Sequence, residues 1–257
     1  MNLIRSVAMA FSMFSKIPMP RVEWKTSNMQ YMLAVFPLVG VVIGLCLWCW
    51  CFICSALNLG SVLFAAGLTL IPIAVSGGIH MDGFCDTADA LASHAEPAKK
   101  REILKDPHAG AFAVIGVCAY FLLYFALCTE LTRGVKLGFL LGLIPVISRT
   151  VSGFAGICFP TSHGGGSLET FHNSAKKKTA AVILGIFLIA CTLTLLELNL
   201  WAGIAMLTAA ELCGTYVYFM SKKQFGGMSG DISGYLLQIT ELAMLCALLI
   251  IQKAVSI

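Results

Sequence analysis

Apolar residues in this chain gather into long runs, and the polar residues are confined to the connections between them. A helix needs about 20 mostly apolar residues to cross the hydrocarbon core of a bilayer. Seven stretches reach or approach that length: 30–57, 61–79, 110–129, 137–158, 179–197, 201–220 and 234–252. The pattern predicts an all-α, polytopic transmembrane bundle of about seven spans. The first stretch is long enough to be tilted, or broken around Pro37, Gly40 and Gly44. No internal repeat and no linker divides the chain, so one integral membrane domain is expected over residues 1–257.

Charge gives the bundle a direction. With the N-terminus placed in the cytoplasm and the sides alternated, one face holds Arg5, Lys16, Arg21, Lys25, Lys99, Lys100, Arg101, Lys105, Lys176, Lys177, Lys178, Lys222 and Lys223. The other holds only Arg133, Lys136 and Lys253, and Arg149 falls inside a span. Basic residues concentrate on cytoplasmic loops, so the expected location is the inner (cytoplasmic) cell membrane, multi-pass. The same arrangement puts every Asp and every His on the cytoplasmic side, and an active site is expected to open there.

Composition agrees with this reading. The chain is 58% hydrophobic and 12% charged, against about 25% charged in an average soluble domain. The excess apolar surface is expected to face the lipid bilayer. The net charge of +4 comes without long basic runs, which argues against a nucleic-acid partner. Most of the eleven cysteines lie inside apolar runs, where a free Cys packs as a small hydrophobe. Cys46-x-x-Cys49 and Cys51-x-x-Cys54 lack the spacer of a zinc site. Residues 1–15 lack the cleavage pattern of a signal peptide and suit an interfacial amphipathic segment.

Chemistry concentrates in Gly77-Gly78-Ile79-His80-Met81-Asp82-Gly83-Phe84-Cys85-Asp86-Thr87-Ala88-Asp89. Asp82, Asp86 and Asp89 stand at i, i+4 and i+7, along one face of a helix. Three carboxylates so close repel unless a hard divalent cation joins them, and oxygen-only ligands suit Mg²⁺ or Mn²⁺. A solvated acidic face is the blander alternative. His80 either orients the loop or acts as a base. Lys105 is a candidate phosphate ligand, and Asp106 a candidate metal ligand or base. Lys99-Lys100-Arg101 reads more simply as topological charge. An intramembrane Arg149 is expensive and suits a phosphate clamp, or else snorkels to the interface.

Two glycine clusters follow on the same face, His163-Gly164-Gly165-Gly166-Ser167 and Phe225-Gly226-Gly227-Met228-Ser229-Gly230-Asp231. Such loops are able to cradle phosphate with backbone N–H groups, although glycine also marks ordinary turns. Asp231 is either an N-cap or a ligand facing the aspartates. Glu241, deep in the last span, requires a partner or a cavity.

Taken in order, these motifs resemble the cobalamin synthase (adenosylcobinamide-GDP ribazoletransferase) family of bacterial vitamin B12 assembly. The resemblance rests on Phe14-Ser15-Lys16-Ile17-Pro18-Met19-Pro20, Phe36-Pro37-Leu38-Val39-Gly40 and the Asp-rich segment. It extends through Lys105-Asp106-Pro107-His108-Ala109-Gly110-Ala111-Phe112, Ser148-Arg149 and Gly226-Gly227-Met228-Ser229-Gly230-Asp231. Residues 153–178 depart from it most. The resemblance implies a Mg²⁺-dependent transfer of adenosylcobinamide phosphate from adenosylcobinamide-GDP to α-ribazole or its 5′-phosphate, with release of GMP. It implies Asp82, Asp86 and Asp89 on the metal and pyrophosphate, and Lys105 and Arg149 as phosphate clamps. Asp89, Asp106 or His80 would be the base, with Gly227, Gly230 and Asp231 on the nucleotide or a second metal ligand. Homo-oligomerisation stays open. A CDP-alcohol phosphotransferase, a membrane prenyltransferase and a transporter are the rival readings. The first expects Asp-Gly-x-x-Ala-Arg, and here Cys85-Asp86-Thr87 stands where Ala-Arg would lead on; the last expects repeats and mid-membrane charge.

Overall fold

The computed structural model describes residues 2–134, 136–162 and 166–255. Thirteen helices follow one another: α1 (Asn2–Phe14), α2 (Thr26–Met29), α3 (Met32–Val35), α4 (Pro37–Ala56), α5 (Ser61–Ser76), α6 (Ile79–Ala92), α7 (Pro97–Ile103), α8 (Ala111–Glu130), α9 (Leu137–Cys158), α10 (Ser167–Ser174), α11 (Lys177–Leu198), α12 (Leu200–Phe225) and α13 (Gly230–Val255). Six of them, α4, α8, α9, α11, α12 and α13, are long and apolar enough to cross a membrane. Together α5 and α6 make a seventh candidate, bent by 97°. The protein is a multi-pass helical membrane protein. Large apolar side chains such as Leu45, Phe52, Leu122, Ile186, Leu193 and Phe219 point outward, a surface that lipid tolerates and water does not.

The first apolar stretch is broken where Pro37 opens α4. Pro suits the first helical position, because its missing N–H would have had no partner there. Beyond it α4 runs unbroken through Gly40 and Gly44, which serve packing and cause no break. A Cβ on Gly40 would lie 2.3 Å from the Pro145 carbonyl oxygen, and one on Gly44 2.2 Å from that of Gly142. Close approach of this kind is the usual use of small residues between membrane helices. It makes α9 the central helix, lined on several sides by α4, α11 and α13.

The connections assigned to the far side do meet at one end of the bundle. Thr132 N–H donates to Gln252 Oε1 at 3.1 Å, Lys136 Nζ reaches the Leu198 carbonyl at 3.0 Å, and Arg133 donates to the Leu59 carbonyl. Lys253 pairs with Glu130 at 3.0 Å on the same end. The aspartates and glycine loops occupy the other.

Candidate active site

Two consecutive glycines set the site's geometry. Gly77 (φ +70°) and Gly78 (φ +79°) are both left-handed, a conformation that costs an L-residue about 1–2 kcal/mol. Gly77 N–H closes α5 on the Ile73 carbonyl at 2.8 Å, and Asp82 N–H opens α6 on the Gly78 carbonyl at 2.9 Å. The helix direction therefore turns sharply inside what reads in sequence as one apolar run. The N-terminal segment is pinned to this bend. Lys16 N–H donates to the Val75 carbonyl at 2.8 Å, and the Lys16 stem covers Gly77.

Beyond the bend, α6 lies across α13 at two glycines. A Cβ on Gly83 would stand 2.7 Å from the Asp231 carbonyl oxygen, and one on Gly234 2.8 Å from that of His80. The crossing brings Asp82 and Asp231 to the wall of one cavity. Asp82, Asp231 and Asp89 all act electrostatically on Asp86, so four carboxylates from two helices share one region. Asp231 does not cap α13: Ser229 does, its Oγ accepting from Ile232 N–H at 3.2 Å. Asp231 instead lines the cavity that Asp82 also lines.

Asp89 is drawn the other way. Its Oδ1 accepts from Ala113 N–H at 3.2 Å, at the start of α8, and fills the space beside Gly110. This satisfies a free N–H and sets a negative charge at the positive end of a helix. The expected three-carboxylate cage of Asp82, Asp86 and Asp89 is not met: among the described residues, no three His, Cys, Asp or Glu side chains stand close enough to hold a metal. Mg²⁺ ordinarily takes one or two protein carboxylates and completes its shell with substrate phosphates and water. Asp82 and Asp231, which line one cavity, fit that open arrangement.

Two cavities meet here. The first, about 250 Å³, is walled by Phe14, Phe36 and Phe171, with His80, Asp82 and Ser152 on it as well. The second, about 200 Å³, carries Arg101, Lys105 and Glu169 with Ser162 and Ser229. Ser167, Leu168, Gly230 and Asp231 line both. A carboxylate-bearing chamber thus adjoins one that holds two cations beside Glu169. Arg101 and Lys100, which the sequence suggested were topological charges, instead dock α7 on the end of α12. Arg101 Nη1 donates to the Phe225 carbonyl at 3.2 Å, and Lys100 Nζ to Gln224 Oε1 at 2.6 Å. The signal for Arg101 was its spacing of four from Lys105, which puts both on one side of a helical turn.

Three expectations are corrected. The first concerns Arg149, which is 1% exposed and lines neither cavity. Its Nη1 pairs with Glu241 Oε1 at 2.7 Å and also reaches the Pro145 carbonyl at 3.0 Å. Ser148 Oγ donates to the same Glu241 oxygen at 2.9 Å. A buried charge requires a partner, and Glu241 and Arg149 answer for each other. The second is Gly227, whose amide is committed to the Ser221 carbonyl, as that of Met228 is to Pro160, leaving neither to cradle a phosphate. A Cβ on Gly227 would meet Thr161 at 2.5 Å, so this glycine lets two loops touch. The third is Asp106, which lines neither cavity. Its Oδ1 accepts from His108 N–H at 3.0 Å and lies 2.8 Å from Nδ1 of that ring. The His108 amide and ring hold this exposed carboxyl below the usual carboxylate range.

Lys105, Gly230, Asp82, His80 and Asp231 remain on the cavity walls. Of the first glycine cluster, His163, Gly164 and Gly165 lie outside the described residues. Sequence reasoning passed over Ser152, Phe171 and the adjacency of the two chambers.

Fold and site together define a membrane-embedded protein with an acidic helix crossing beside a chamber that bears Arg101 and Lys105, an arrangement suited to group transfer between phosphate esters. A family model described as cobalamin-5-phosphate synthase matches residues 6–249, and the chain belongs to that family. It is 40% identical over 242 residues to an adenosylcobinamide-GDP ribazoletransferase of Lachnoclostridium phytofermentans, covering 94% of this chain and 92% of the relative. The corresponding enzyme of Clostridium perfringens is 34% identical over 239 residues, covering 92% and 94%. That of Desulfitobacterium hafniense is 30% identical over 256 residues, covering 95% and 96%. No solved structure matches the chain.

Proposed function

We propose that this chain transfers adenosylcobinamide phosphate from adenosylcobinamide-GDP to α-ribazole or its 5′-phosphate, releasing GMP and forming adenosylcobalamin or its 5′-phosphate. The observation that carries the proposal is the junction at Asp231, where the chamber bearing Asp82 adjoins the one bearing Arg101 and Lys105, in a chain whose relatives bear this activity in their names.

A ribose hydroxyl oxygen bonds to the cobinamide-side phosphorus, and the bond from that phosphorus to the bridging oxygen breaks. GMP leaves with the electron pair. The hydroxyl proton passes to a carboxylate of the Asp82–Asp231 pair. Lys105 and Arg101 balance the charge of the leaving nucleotide. Such a displacement requires alignment and charge neutralisation more than covalent help. Asp82 and Asp231 would hold Mg²⁺, which would add to the neutralisation of the pyrophosphate. Asp89 acts as a positioning residue that ties α6 to α8.

The excess of Lys and Arg on the connections of this end supports its facing the cytoplasm, with the chain in the inner membrane. The reading is tested with purified protein, adenosylcobinamide-GDP, α-ribazole phosphate and Mg²⁺. GMP and the joined corrinoid are expected in equal amounts. Their absence would overturn it, as would release of CMP or diphosphate from rival substrates.

A further inference from the structure

The apolar chamber is larger than a hydroxyl and a metal ion require. Its walls include several aromatic rings that pack on one another. Phe14 and Phe36 lie 4.4 Å apart between ring centroids, and His80 stacks on Phe14 at 5.8 Å and tilts against Phe36 at 5.4 Å. Phe171, on the amphipathic α10, is backed by Trp24 at 6.5 Å. Among these apolar walls stand a few polar groups. Ser152 Oγ and Ser233 Oγ are 2.7 Å apart. His80 is 6% exposed, and its Nε2 has no hydrogen-bond partner among the described residues.

We infer that this chamber is the subsite for the heterocyclic base of the acceptor riboside, and that Phe14, Phe36, Phe171 and His80 select a flat bicyclic aromatic there. The inference rests on the proposed transfer and adds to it the place and the residues of acceptor specificity. An aromatic ring gains area and favourable ring–ring geometry against such walls, and a ring nitrogen on its edge supplies the partner that His80 lacks. A lipid acyl chain would leave His80 without a partner and desolvate the carboxylates. Guanine, the other bicyclic base of the reaction, carries a carbonyl and an amino group that these apolar walls would leave largely unbonded. A cavity of about 250 Å³ excludes a corrin ring. Because the chambers share Gly230 and Asp231, a base in one sets the ribose hydroxyl at the opening to the other.

The test uses the full-length protein in detergent. Binding of α-ribazole is measured by equilibrium dialysis, and KM for each substrate by GMP release, for wild type, Phe171→Ala and the conservative Phe171→Tyr. The expected result is about a tenfold loss of α-ribazole affinity in Phe171→Ala, with KM for the nucleotide substrate within twofold and near-normal binding in Phe171→Tyr. Free benzimidazole, a probe of flat bicyclic shape, should compete for the site in wild type. Equal movement of both KM values, movement of the nucleotide KM alone, or unchanged α-ribazole binding in Phe171→Ala would overturn the inference. If wild type binds α-ribazole through Phe171 but releases no GMP, the subsite stands and the transferase reading fails.

Discussion

Replacing Glu241 with Leu leaves the Arg149 guanidinium buried with no counter-charge. The two side chains are 3% and 1% exposed and 2.7 Å apart, so solvent neither screens the pair nor compensates a lone member. Removing one partner of such a pair costs about 3–5 kcal/mol. Ser148, which donates to the same carboxylate, would keep only its contacts with the Pro145 carbonyl and Arg149. Arg149→Met should cost a similar amount, because Glu241 is then the orphan. The double variant Arg149→Met/Glu241→Leu should be much less destabilised than the sum of the singles, since apolar replacements of a buried pair are often near neutral. Thermal and denaturant unfolding of the solubilised protein, set out as a double-mutant cycle, measures the coupling. If the singles add, or if Arg149→Met keeps full stability and only raises KM for the nucleotide substrate, the ion-pair account is wrong and Arg149 is a phosphate ligand.

Other expectations follow from the same contacts. Gly83→Val should push α6 off α13 and abolish GMP release, with circular dichroism showing helix content kept; retained turnover would show that the crossing does not set the site. Asp82→Asn should remove turnover with little change in Tm. Asp89→Ala should instead cost about 1 kcal/mol, as loss of a helix cap does, with only partial loss of rate, and equal behaviour of the two variants would refute the division between them. Asp106 has a folded pKa held below its unfolded value, so its contribution to stability is present above the ordinary carboxylate pKa and lost as pH falls through the lower folded one. His108→Ala should raise the Asp106 pKa, which a carboxyl NMR titration would detect.

Much of the scaffold is legible from sequence because lipid imposes one simple demand, about 20 apolar residues in a row. The runs at 110–129, 137–158 and 179–197 match α8, α9 and α11 within a few residues. The run at 61–79 conceals a bend, because two left-handed glycines change direction without changing hydropathy. Gly40 and Gly44 were ambiguous for a related reason: helix breaking and close packing both call for a missing Cβ, and only the partner helix distinguishes them. The i, i+4, i+7 spacing placed Asp82 and Asp86 on one helix with Asp89, but spacing along α6 says nothing of α8, whose free N–H groups claim Asp89. Likewise Glu241 announced its need of a partner, and no local pattern points to Arg149, 92 residues away in the chain. Arg101 looked like topological charge because a basic residue at a membrane edge satisfies that role whether or not a cavity lies beside it.

The account stands on Asp231 as the group common to both chambers. The most direct measurement is single-turnover GMP release from adenosylcobinamide-GDP by wild type and Asp231→Asn, with α-ribazole binding followed in the same samples. The account predicts that Asp231→Asn still binds α-ribazole, remains folded, and releases GMP at least a hundredfold more slowly, about the contribution of one positioned acid–base group. GMP release at the wild-type rate would contradict it.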